Sequence, residues 1–132
     1  MSDARPSRAA GVTAFILAAI AGFLVWWFSE ALTGRREPWD GDVLWYFVVL
    51  FVVGFAATLF LRSPPFAAYW GAWVGQIVFG IVPFVACLAA GAMCTDQANL
   101  FPLGVVVLLA YTLPALIGAF LGRTAQRLLI SL

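Results

Sequence analysis

The chain has 132 residues, 64% of them hydrophobic and only 10% charged, with a formal charge of +1. Soluble domains carry about 45–50% apolar and 25% charged residues, so this chain has too few polar groups to cover a water-soluble body. The near-neutral balance also lacks the basic footprint of a nucleic-acid binder, and no nucleic-acid partner is expected.

Arg5 and Arg8 precede the first apolar run, 9–28. A cleaved signal peptide has the same basic start, but Trp26, Trp27 and Phe28 do not make a small-residue cleavage site. The run reads as a retained helix. Gly34 and Pro38 follow it, and Asp42 stands where an N-cap is wanted before the second run, 43–61. The third run, 66–90, follows Ser63, Pro64 and Pro65, with Ser63 as the expected cap and proline in the first turn. The fourth, 100–122, has Asn99 as its candidate cap and Pro102 in its first turn. A hydrocarbon core of about 30 Å needs about 20 helical residues, so each run can span. The alternation of a membrane β-barrel is missing. The expected fold class is therefore all-α: one polytopic membrane domain, a four-helix antiparallel bundle. Its outer loops are 29–42 and 91–99, and its inner loop is 62–65.

Arginine placement sets the orientation. With the N-terminus inside, Arg5, Arg8, Arg62, Arg123 and Arg127 are cytoplasmic and only Arg35 and Arg36 are outside. The positive-inside rule then predicts both termini in the cytoplasm. Trp26, Trp27, Trp39, Trp45 and Tyr46 form the expected outer aromatic belt, and Tyr69, Trp70 and Trp73 the inner one. All seven basic residues are arginine, a composition expected of a GC-rich bacterial genome and hence of a bacterial inner membrane.

Chemistry is scarce in the spans. They hold no Asp, Glu, Lys, Arg or His, the residues on which ion-coupled transport depends. Without His, and with only Cys87 and Cys94, no metal or cofactor site is expected. Seven helical residues would hold the two thiols about 10 Å apart, so a bridge requires the third helix to end before Cys94. Two separate thiols are the simpler expectation.

Three groups of residues stand out. The outer loop carries Arg35, Arg36, Glu37, Trp39, Asp40 and Asp42 around Gly41. Its carboxylates could bind a hard cation or act as an acid/base pair, but an anchor, a turn and a helix cap explain the same residues. Gly71 and Gly75 on the third helix, and Gly118 and Gly122 on the fourth, form small-residue motifs that would pack these two helices together; Ala18 and Gly22 repeat the motif weakly on the first. The third group is polar. Gln76 and Pro114 share a depth if their helices are antiparallel. Pro114 cannot donate to the Ala110 carbonyl, which Gln76, Tyr111 or Thr112 could satisfy instead.

These residues predict a structural or accessory subunit that meets lipid and either a membrane-protein partner or further copies of itself. A small oligomeric transporter or channel is the alternative, and an enzyme, which would have to draw on the outer loop, comes third.

Overall fold

A computed structural model describes residues 7–35, 37, 38, 40, 42–91 and 103–132. All regular structure among them is helical: α1 (Arg8–Thr33), α2 (Val43–Leu61), α3 (Pro65–Ala89), α4 (Leu103–Tyr111) and α5 (Leu113–Ser131). Counting α4 and α5 together, four segments are long and apolar enough to cross a membrane. Arg36, Trp39, Gly41, Cys94, Asn99 and Pro102, together with Arg5, lie outside the described residues.

The helix ends follow local chemistry more closely than hydropathy does. Helix α1 runs beyond 28 because the first residue able to stop it is Gly34, whose left-handed backbone (φ 69°) lets its N–H reach the Glu30 carbonyl. Asp42 caps α2, its carboxylate accepting from Leu44 N–H at 3.0 Å. Ser63 does not cap α3. Pro64 occupies that position, and the buried Ser63 hydroxyl turns back to donate to the Ala57 carbonyl of α2 at 3.2 Å. The expected end of the last helix at 122 is also wrong. Gly122 lies against a neighbouring backbone inside the helix, and α5 continues to Ser131.

Glycine decides which helices pair. A Cβ on Gly71 would lie 2.3 Å from the Phe15 carbonyl oxygen, and one on Gly75 1.9 Å from that of Ala19. From the other side, a Cβ on Gly22 would meet the Ala72 oxygen at 2.3 Å. Helices α1 and α3 are thus in backbone contact, and their rising numbers show that they run in the same sense. The second pair is built alike. Gly118 and Gly122 rest on the Phe51 and Phe55 carbonyls, and Gly54 on that of Ala115, which joins α2 to α5. The expectation that these motifs join the third and fourth helices is corrected: each motif joins its helix to α1 or α2. A glycine stripe licenses close approach but carries no label for its partner.

The fourth span is broken. Pro114 has no N–H for the Ala110 carbonyl, and the next amide, Ala115 N–H, bonds to Thr112 O at 3.0 Å, three residues back instead of four. The Thr112 hydroxyl donates to the Leu108 carbonyl at 2.6 Å, a local bond of the kind that bends helices. By contrast, α3 passes through Pro83 without interruption.

Candidate functional site

Gln76 is 1% exposed and lies where both helix pairs meet. An indole N–H can only donate, so the Gln76 amide oxygen must face Trp26, whose Nε1–H donates to it at 3.2 Å. The Tyr46 hydroxyl donates to the same oxygen. The amide nitrogen then faces the other way, donating to Thr112 Oγ1 at 3.0 Å and to the Ala72 carbonyl at 3.2 Å. Two donors and two acceptor sites are the whole capacity of a primary amide, and here all are used. One side chain therefore ties α1, α2 and α3 to the break in the fourth span. Tyr46 and Thr112 are fully buried, and Trp26 is nearly so.

The structure brings Gln76 and Thr112 together but gives them different duties from those expected. Neither serves the Ala110 carbonyl: Gln76 serves Ala72, and Thr112 serves Leu108. Tyr111 places its ring against Tyr46 and Phe47, at centroid distances of 6.5 and 5.8 Å. Two partners were missed. Trp26 and Tyr46 read as interfacial anchors, yet both point their polar ends inward. The signal was available, because a glutamine within a span needs donors for its oxygen.

Two inner-belt residues are corrected in the same way. The Tyr69 hydroxyl donates to the Leu109 carbonyl at 3.0 Å, and Trp73 Nε1–H to that of Val105 at 3.2 Å. Trp70 stays 44% exposed, as a belt residue should.

At the far end of α1, Arg35, Asp40 and Asp42 line an open recess of 540 Å³ with Leu32, Thr33 and Trp45. Backbone and hydroxyl bonds order its wall. Ser29 Oγ donates to Arg35 O at 3.0 Å, Thr33 Oγ1 to Ser29 O at 2.8 Å, and Asp40 N–H to Glu37 O at 3.1 Å. Asp42 is occupied as a helix cap. Among the described residues, no group of three or more His, Cys, Asp or Glu side chains could hold a metal.

Cys87 is disulfide-bonded, against the expectation of two separate thiols. The condition for a bridge is met, since α3 ends at Ala89 and Gly91 takes a left-handed turn (φ 69°). The chain matches no protein-family model, no curated protein and no solved structure.

Proposed function

We propose that the chain is a multi-pass protein of the bacterial inner membrane, a structural or accessory subunit whose bundle binds lipid and a membrane-protein partner. In this reading successive spans are antiparallel and both termini are cytoplasmic. The observation that carries it is the closed hydrogen bonding of Gln76. A transport site keeps donors or acceptors free for its cargo, whereas here the buried amide spends all of them on the chain itself. The cluster therefore acts as glue between helices.

The orientation draws on two independent signs. Arg8, Arg62, Arg123 and Arg127 gather at the ends assigned to the cytoplasm. Cys87, near the opposite end of α3, is in a disulfide, and such bonds persist on the oxidising side of a bacterial membrane.

Purification from native membranes in mild detergent, followed by mass spectrometry of the intact assembly, tests the reading. A partner protein or defined lipid held in fixed stoichiometry is the expected result. A homo-oligomer that carries solute across proteoliposomes, and loses this on Gln76→Leu while remaining folded, would overturn it in favour of a transporter.

A further inference from the structure

Helices α1 and α3 start side by side, and their first turns enclose an open recess of 380 Å³. Val12, Phe15, Pro64 and Ala67 give it an apolar lining, and Ser7 and Arg8 stand at its mouth. Gly11 keeps it open. A Cβ there would already touch the Pro64 ring, whose nearest carbon would be 3.4 Å away.

The two sides of the mouth differ in chemistry. On the α1 side, Ser7 Oγ takes the Ala10 N–H and Ser7 O the Gly11 N–H, both at 3.1 Å. The exposed Arg8 and Ala9 amides precede the first helical carbonyl and have no partner within the helix. The Arg8 guanidinium is in the same turn, with no ion pair among the described residues. On the α3 side, Pro64 and Pro65 have no N–H, and the Ala67 N–H is spent on Pro64 O at 3.0 Å. The wider charge pattern agrees. Glu30, in the last turns of α1, is about 33 Å along the helix from Arg8, and Glu37, Asp40 and Asp42 follow it in the loop beyond. Arg62 caps α2 at the Arg8 end, and Arg123 and Arg127 flank Gln126, which donates to Leu59 O near that cap.

We propose that this recess seats one anionic phospholipid, with its phosphate at the Arg8 and Ala9 amides and the Arg8 guanidinium, and an acyl chain along Phe15, Pro64 and Ala67. Free amides at a helix start and an adjacent arginine both favour phosphate. The apolar lining, at the end of two membrane-length helices, selects a lipid over a soluble phosphate. Net negative charge is selected as well. A zwitterionic headgroup would bring an ammonium to an end of the bundle where four arginines and no described carboxylate stand. The inference rests on the lipid-binding half of the proposed function and names the lipid class and its seat.

Native mass spectrometry of the full chain in mild detergent, titrated with phosphatidylglycerol or with phosphatidylethanolamine of the same acyl chains, tests the seat. One phosphatidylglycerol should bind in preference. Arg8→Gln should weaken its binding about fivefold and leave phosphatidylethanolamine unchanged. Arg127→Gln, which removes a charge at the same end but outside the recess, should alter neither. Val12→Trp, at an exposed position that lines the recess, should weaken both lipids to the same degree. Equal affinity of the parent for the two lipids would overturn the seat. So would a loss in Arg127→Gln equal to that in Arg8→Gln, which would show diffuse charge instead of a site. Displacement of the lipid by inorganic phosphate, or a second chain bound in its place, would also refute it. In material purified from native membranes, a lipid or partner that stays in fixed stoichiometry on both Arg8→Gln and Val12→Trp would refute this recess and leave the proposed function standing. A parent chain that retains neither lipid nor partner would overturn both.

Discussion

The Gln76 amide nitrogen lies 3.0 Å from Thr112 Oγ1, and through that contact the two glycine-seated helix pairs are joined at a polar centre. Within each pair, backbone lies on backbone at Gly22, Gly71 and Gly75, or at Gly54, Gly118 and Gly122. At this centre, between the pairs, side-chain hydrogen bonds specify the register. The two kinds of contact differ in their response to mutation. Close glycine packing tolerates no added atom, while a hydrogen-bonded centre tolerates shape change but not an orphaned donor.

Gln76→Leu is nearly isosteric and removes every partner at once. It removes the acceptor that the buried Trp26 N–H and Tyr46 hydroxyl share. A single interhelical hydrogen bond is worth about 1 kcal/mol or less, but each unsatisfied buried donor costs about 1–3 kcal/mol. The expected loss is therefore about 2–4 kcal/mol in reversible unfolding in mixed micelles. Adding Tyr46→Phe should recover part of it, because one orphan is then gone. A parent-like stability for Gln76→Leu would show that the amide is not glue.

Two glycines on the same helix make an internal control. Gly75→Ala drives a methyl into the Ala19 carbonyl, 1.9 Å away, and backbone cannot yield as a side-chain tip can. Gly80→Ala meets open space. The first should destabilise by about 1–3 kcal/mol, and the second should be neutral or stabilising by up to about 1 kcal/mol. Equal effects of the two substitutions would contradict the α1–α3 contact.

Much of this organisation was legible in the sequence. The span of α2 and its Asp42 cap follow from a charge-free run with an acidic residue before it, and the Gly71 and Gly75 stripe is visible in the spacing. Partner choice was not legible. Gly71 against Phe15 rather than against the fourth helix depends on how whole helices pack, which short-range periodicity does not encode. Trp26 and Tyr46 were misplaced for a related reason: an aromatic near a span end suits the interface equally well, and only the position of Gln76 draws its polar tip inward. Gln76 and Pro114 mark the polar centre in the sequence, while Tyr69 and Trp73, whose donors reach the Leu109 and Val105 carbonyls, carry no sequence mark of that role.

Asp42 distinguishes a structural outer recess from a chemical one. Its carboxylate accepts from Leu44 N–H, so Asp42→Asn, which keeps an acceptor oxygen, should leave stability within about 0.5 kcal/mol, while Asp42→Ala should cost about 1 kcal/mol. Both variants should co-purify with the same partner and lipid. If Asp42→Asn removes a bound molecule or an activity without changing stability, the charge has a role beyond the cap.

Cys87 gives the sharpest test of orientation, because its bond and its position point to the same compartment. It lies in the last turn of α3, at the end opposite Arg62 and Pro64, and it is disulfide-bonded. In intact cells a membrane-impermeant maleimide should therefore fail to label Cys87. After an impermeant phosphine reductant is added from outside, labelling should appear, since both reagents reach the outer face. A cysteine introduced at Ser131, near the C-terminus, should show the reverse pattern: no labelling until the membrane is permeabilised, and no need of reductant. Removing the bridge with Cys87→Ser should lower the thermal midpoint, as cross-links stabilise by about 2–4 kcal/mol and less for short loops. Because α1, α2 and the glycine contacts lie elsewhere in the chain, the variant should still fold. Labelling of Cys87 in untreated cells would mean that the thiol is free in the membrane. Labelling of the Ser131 position from outside would place the C-terminus outside and reverse the proposed topology.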